Sequence, residues 1–401
     1  MYFSDSHSKS GLQTKVQPVK IIPKNQKLTI GIPAENKSEE KRVVLTPDDV
    51  KAISKLGYQI YIEQGAGVEA NFSDLAYSEN GAKIIEDKKI IFKDCDIIVK
   101  IAPLSDEEVS FLSPNKVVFS ALQMSTQTQE KIKKLKDKKI TALSYELFND
   151  ENGFNPFLHI IGEIIGSSSV MIAAELMSNT FGGKGLMLGG LTGLAPTEII
   201  VLGSDISSQY AVRIALGLGA NVKVFDSSIK RLIKFHDFFG QHLYTSTITS
   251  SDLKNSLKTA DVVINTLEKE HGQGFVISKE MLLEMKQGAV IVDLKVDSGS
   301  VIESSKITTF EKPTFIESEI THYCVPNIAS RVARTSSVAI SNIISPLLAK
   351  ILNYGGIIPF IQENISYRNG VYLLKGIVTN KIIAENFDLD YTDINLIIHV
   401  F

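Results

Sequence analysis

The run EIIVLG (198–203), the helical-period stretch SSQYAVRIALGLG (207–219) and the run NVKVFD (221–226) constrain this chain more than any other feature. A short apolar run, apolar positions recurring at helical spacing, and a second apolar run closing on an acid predict strand, turn, helix and strand. That order opens a dinucleotide-binding unit. Its turn, Gly203-Ser204-Asp205-Ile206-Ser207-Ser208, departs from the expected chemistry. A three-glycine turn uses one glycine to turn tightly, one to let backbone approach a pyrophosphate, and one to pack helix on strand. Only Gly203 is kept. Asp226 ends the second strand 23 positions later, where an acid binds adenosine ribose hydroxyls and favours NAD over its 2′-phosphorylated relative.

At 401 residues the chain is too long for one core and predicts two domains. A net charge of −3 supplies no bulk attraction to nucleic acid or to acidic membranes, so neither is expected as a partner. No run of about 18 apolar residues is read along the chain, which argues against a membrane span. Residues 1–27 carry no apolar core and no small-residue cleavage site after their first positions; they predict a disordered polar extension rather than a secretory signal. Cys95 and Cys324 cannot build a disulfide framework and have no ligand-spaced neighbours, so buried free thiols, no metal site and a cytoplasmic location are expected.

From Leu28 onward apolar runs alternate with helical patterns, the signature of α/β architecture. LTIGIPAE, YQIYIEQGAG, CDIIVKIAP, KVVFSALQM and TALSYEL read as strands, DLAYSENGAKI and TQEKIKKLKDKKI as helices, and LTPDDVKAISKLGY as a helix capped by Thr46 with Pro47 at its first position. GEIIGSSSVMIAAELMSNT, with Gly166 near its start, reads as a long connector helix, and VARTSSVAISNIISPLLAKILNYGG as a second long helix that returns the chain and ends in a small helical tail. The fold class expected is α/β with two Rossmann-like domains joined by long helices. A discontinuous substrate domain (28–157 and 334–401) receives an inserted NAD-binding domain (158–333, with the connector helix), and the cleft between them suits a cofactor and a small substrate.

Several residues can carry chemistry in that cleft. Arg42, just before a helix N-terminus, can clamp a carboxylate, although a surface arginine in a charged run fits the same text. Lys100 closes a strand at the end where α/β sites form, though a solvated lysine is the commoner outcome. Asp297, in IVDLKVDSGS, can accept a proton or simply form a turn. Asn327, at the entrance to the returning helix, can bond a nicotinamide amide or cap the helix.

The motifs GIPAENKSEEKRVVLTP, EQGAGVEANFSD, GGKGLMLGGLTG, ALGLGANVKVFD and HYCVPNIASRVARTS are similar, in order and spacing, to those of the alanine dehydrogenase and nicotinamide nucleotide transhydrogenase alpha-subunit family. Over about residues 28–400 the chain most resembles the longer, Bacteroidetes-type alanine dehydrogenases. The resemblance implies NAD-dependent conversion of L-alanine to pyruvate and ammonia by a homo-oligomer, dimer or hexamer. It also implies that Arg42 holds the substrate carboxylate, Asp226 the ribose, Asp297 a proton, and Asn327 the nicotinamide pocket. Gly203 and Ser204 then line the cofactor turn. Departures accompany it. The family's lysine falls at Ala102, two places beyond Lys100; its histidine falls at Gln123, which cannot exchange a proton near neutral pH; a serine of the connector falls at Gly162. Asp205 would place an acid toward a pyrophosphate. These departures leave open a catalytically inactive paralogue with a structural or regulatory role.

Overall fold

A computed structural model describes residues 28–150, 152–240, 243–248, 251–269 and 276–401; the expected extension at 1–27 lies outside the described residues. Six strands of the first half, β1 (Thr29–Ile32), β2 (Gln59–Glu63), β3 (Ala82–Ile85), β4 (Ile97–Val99), β5 (Val117–Ser120) and β6 (Thr141–Ser144), form a parallel sheet in the order β3-β2-β1-β4-β5-β6. The next seven are β7 (Glu198–Leu202), β8 (Asn221–Asp226), β9 (Tyr244–Thr247), β10 (Val262–Asn265), β11 (Val290–Asp293), β12 (Thr314–Glu317) and β13 (Ile320–Tyr323). They form a second sheet, parallel in the order β9-β8-β7-β10-β11-β13, with β12 antiparallel on its edge. Both orders reverse direction at one strand pair, β1/β4 and β7/β10, which is the doubly wound arrangement. Strands such as VVIN and VIVD are buried at every position, because helices cover both faces.

Several local expectations are corrected. DLAYSENGAKI is not one helix: the helix stops at Glu79, Gly81 turns with φ +95°, and Ala82–Ile85 becomes β3 beside β2. The tail is not purely helical, since β14 (Val371–Leu374) and β15 (Ile377–Val378) extend the first sheet antiparallel beyond β6 before two short helices. The connector helix begins earlier than read, at Pro156. Asn155 caps it by accepting from the Leu158 amide at 3.0 Å, and proline at the first position lacks only a donor the helix cannot use. Two segments, Pro156–Met177 and Ile328–Asn353, are in fact long and apolar enough to cross a membrane by length and composition. About half of each is buried inside the protein, where Val170, Ile172 and Ala173 join the core of the second sheet and Ile340, Ile344 and Leu348 the core of the first.

The long helices hold the two sheets in register. Gly166 lets the connector helix touch the helix Ile206–Gly217 directly: a Cβ there would lie 2.1 Å from the Ser207 carbonyl oxygen. The returning helix, Ala333–Asn353, anchors the segment 41–46. Ser330, just before it, and Ser337 and Ser341 on it accept from the amides of Lys41, Val43 and Thr46 at 2.7, 2.9 and 2.9 Å. These three serines turn Arg42 toward the interior.

Candidate functional site

Each sheet presents a crevice where its strand order reverses, and the two crevices differ. At β7/β10 a cavity of about 330 Å³ is lined by Gly203, Ser204, Asp205, Asp226, Arg231 and Thr266, among others. Gly203 has φ +106°, and a Cβ would lie 2.1 Å from Thr266 Oγ1, so glycine is required there. The other two glycine positions have been rebuilt. Asp205 is the N-cap of the helix Ile206–Gly217; its Oδ1 accepts from the Ser208 amide at 2.9 Å and the Ser208 hydroxyl at 3.1 Å. The buried Ser208 hydroxyl also meets Thr266 Oγ1 at 2.7 Å, joining the helix start to the end of β10. Asp205 thus turns onto its own helix end, where it takes an amide that an anion could otherwise use.

Asp226 is fully buried at the end of β8. Its carboxylate accepts from Ser204 Oγ at 2.6 Å, from the Ser228 amide at 2.8 Å and from the Arg231 guanidinium at 2.7 to 3.1 Å. A dinucleotide fits these residues. The cavity volume reaches the range of small-ligand sites, the turn is open only because Gly203 lacks a Cβ, and Asp226 stands where ribose hydroxyls could replace the Ser204 and Arg231 donors.

The β1/β4 crevice is filled by charge instead. Arg42 is buried, and Glu40 grips it through two parallel bonds, Nε to Oε1 at 2.7 Å and Nη2 to Oε2 at 2.5 Å. Burial opposes the Glu40 charge, but the Arg42 guanidinium and its hydrogen bonds outweigh it and hold the carboxyl below the usual range. Arg42 Nη2 also donates to Asn327 Oδ1 at 3.1 Å, and Asn327 Nδ2 donates to Glu40 Oε2 at 2.8 Å. Asn327 therefore makes no cap bond. Arg42 is not a surface arginine, nor is Lys100 a solvated lysine: Lys100 Nζ donates to Glu108 at 2.8 and 3.1 Å and lies 3.4 Å from Glu35 Oε2, with all three side chains buried. Glu108 closes a capping box with Ser105, so a short helix start fixes the lysine's partner.

Glu35 went unnoticed in the sequence, and it is the most perturbed acid of this crevice. Its Oε1 accepts from the Ile101 amide at 2.6 Å, while its buried Oε2 makes no hydrogen bond. Burial above all, with Glu40 and Glu108 adding repulsion, pushes its carboxyl up to about 7 against the pull of Lys100. The only sequence signal was its place three residues after β1, at the reversal of the sheet. Glu35, Glu40 and Arg42 line a cavity of only about 10 Å³, room for about one water.

The structure brings together Arg42 with Asn327, Lys100 with Glu35, and Gly203, Ser204 and Asp226. Two candidates stay apart. Gln123 is exposed at φ +44°, its amide held by Glu146 at 3.1 Å, and Asp297 is exposed on the short helix Val296–Gly299; neither lines either cavity. The nearby buried acid is Asp293, which accepts from Asn265 Nδ2 at 2.8 Å and from the Ser300 and Ser305 hydroxyls. Cys95 and Cys324 are buried, and burial pushes both thiols up to about 12, so neither is a nucleophile.

Comparison with known proteins follows the same division. The profile described as "Alanine dehydrogenase/PNT, N-terminal domain" matches residues 31–164, and "Alanine dehydrogenase/PNT, C-terminal domain" matches residues 169–381. The chain is 34% identical over 367 residues to an alanine dehydrogenase of Methanococcus maripaludis, covering 91% of this chain and 98% of that protein. It is 31% identical over 369 residues to alanine dehydrogenase 2 of Staphylococcus aureus, covering 92% and 98%. Among solved structures, an L-alanine dehydrogenase superposes with a TM-score of 0.82 at 27% identity, covering 90% of this chain and 99% of that one. A transhydrogenase from Sinorhizobium meliloti shares the fold, with a TM-score of 0.73 at 20% identity over 88% of this chain and 99% of its own.

Proposed function

This chain belongs to the alanine dehydrogenase/PNT family, and on that premise we propose that it is an NAD-dependent oxidoreductase interconverting L-alanine with pyruvate and ammonia. The observation that carries this reading is the bond from Arg42 to Asn327. It ties the carboxylate-binding arginine to the segment that follows the last strand of the dinucleotide domain, so the substrate clamp and the cofactor half share one constellation. Bound NAD supplies the acceptor for the Cα hydride. Arg42 offers the substrate carboxylate its remaining donor, Nη1, which has no acceptor among the described residues. Asp226 orients the adenosine ribose. The fit of Arg42 between Glu40 and Asn327 fixes the plane in which the carboxylate binds. We assign the protein to the cytoplasm, in keeping with its two free cysteines. Exposed Phe181, Leu186, Met187, Leu191 and Leu194, crowded into one loop segment, support a homo-oligomer that covers them.

A second reading has its own observation. Gln123 and Asp297 are exposed and outside both cavities, as expected of an inactive paralogue that keeps the fold for a structural or regulatory task. One sequence of experiments separates the two. NADH at about 100 times its Kd should stabilise the protein by about 2.7 kcal/mol in a thermal melt, since it binds only the folded state. L-alanine should then drive NAD reduction. Binding without turnover favours the paralogue, and no shift at millimolar NADH sinks the dehydrogenase reading.

A further inference from the structure

The acid–base group of the β1/β4 crevice is missing from the residues that the sequence pointed to. Gln123 carries no exchangeable acid, and Asp297 stands exposed on the other domain. The acids lining the small cavity with Arg42 are Glu35, Glu40 and Glu69. Glu40 is committed to Arg42 and Asn327, and Glu69 is exposed. Glu35 remains. Its side chain is only 6% exposed, one oxygen is pinned by the Ile101 amide, and the other is buried, makes no hydrogen bond and has the Lys100 ammonium 3.4 Å away. Lys100 is held more closely by Glu108, so Oε2 keeps the capacity to accept from a donor that arrives with a ligand. A substrate ammonium group is such a donor.

Building on the dehydrogenase reading, we propose that Glu35, through its Oε2, is the group that exchanges a proton with the amino nitrogen of the substrate. The carboxylate takes one proton from the α-ammonium. The nitrogen lone pair so released forms the C=N bond as the Cα–H bond breaks, and the hydride leaves with both electrons to NAD. Water then adds to the iminium carbon and releases one proton to solvent; Glu35 returns its proton to the nitrogen, and as the C–N bond breaks the hydroxyl O–H electrons form the C=O bond and its proton leaves with ammonia as ammonium. The groups facing Glu35 are arranged for both directions of transfer. Lys100 lies at 3.4 Å, but Glu108 already holds its charge through two shorter bonds. Glu40, beside Arg42, and Glu108 repel a second negative charge; Tyr145, whose hydroxyl donates to the Lys100 carbonyl, and Glu63, which accepts from the Ala34 amide at 2.8 Å, complete the shell.

The pH dependence of kcat/KM for L-alanine tests this, alongside NADH affinity and the thermal melt. The base must be ionised to accept a proton, so activity in the wild type should fall as pH drops below about 7. E35Q should lose about 100-fold or more in kcat/KM and lose that acid limb, while its NADH affinity stays the same. E35D should recover part of the rate. Glu108→Gln removes a repelling charge and frees Lys100, so the acid limb should move to lower pH. An E35Q enzyme that keeps both limb and rate overturns the Glu35 assignment alone. If E35Q does not fold, a limb unmoved in Glu108→Gln overturns it. A wild type that binds NADH but never oxidises alanine overturns the dehydrogenase reading itself, and the assignment with it.

Discussion

The two sheets share one strand order and differ in what stands at its reversal. At β7/β10 the crevice is an open cavity of about 330 Å³ in which the turn's backbone stands beside the Asp205 and Asp226 carboxylates and the Arg231 guanidinium. At β1/β4 the same topology is packed with Glu35, Glu40, Glu108, Lys100 and Arg42 around space for about one water. Topology decides where a crevice lies. Side chains decide how open it is, and a crevice packed with charge must exchange its internal partners for those of the substrate.

That difference is sharpest in its energetics. Arg42→Met should leave Glu40 buried without its partner, at a cost of about 3–5 kcal/mol in urea unfolding. NADH affinity, a property of the other crevice, should not change. The double variant with Glu40→Gln should restore most of the stability, because it removes the orphaned charge. A large loss of NADH binding in Arg42→Met would break the comparison, since the crevices would then not be separable.

Glu35 gives the next largest effect. Its carboxyl ionises near 4.5 in the unfolded chain and near 7 in the folded one, so ionisation disfavours the folded state. The stability that Glu35 permits is therefore fully present below about pH 4.5 and is lost as pH rises through 7. At about 1.4 kcal/mol per unit, wild type should gain about 3 kcal/mol relative to E35Q between pH 8 and pH 4.5. Parallel stability curves for the two proteins would place the titration elsewhere.

Local signals carried the sequence far. Thr46 caps its helix and Pro47 follows it, as the text reads, because a cap needs only neighbours three residues away. The apolar runs gave strands, and the paired runs around 198–226 gave the dinucleotide half. What the sequence hid was pairing at a distance. Glu35 meets the Ile101 amide 66 residues on, and Ser330, Ser337 and Ser341 meet 41–46 across nearly 300 residues. The tail strands were hidden for the same reason: VYLL becomes a strand only because β6 offers an edge. Asp205 was legible in a different way. An acid just before a helical pattern is an N-cap signature, but the phosphate-turn pattern drew the eye to its charge instead.

Asp205 therefore supplies the finest test of the comparison, because it puts a negative charge at the helix end of the open crevice. Asp205→Gly removes the cap but supplies another tolerated one, so stability should fall by only a few tenths of a kcal/mol. It also frees the Ser208 amide and deletes a negative charge at the helix end. At a separation of about 4 Å in a watery site that charge opposes a phosphate by about 1 kcal/mol, so NADH should bind roughly fivefold tighter. The gain should shrink at high salt, where screening already weakens the repulsion. If affinity is unchanged at low salt, the Asp205 charge is spent entirely on its own helix, and the open crevice tolerates an acid that the glycine pattern would forbid.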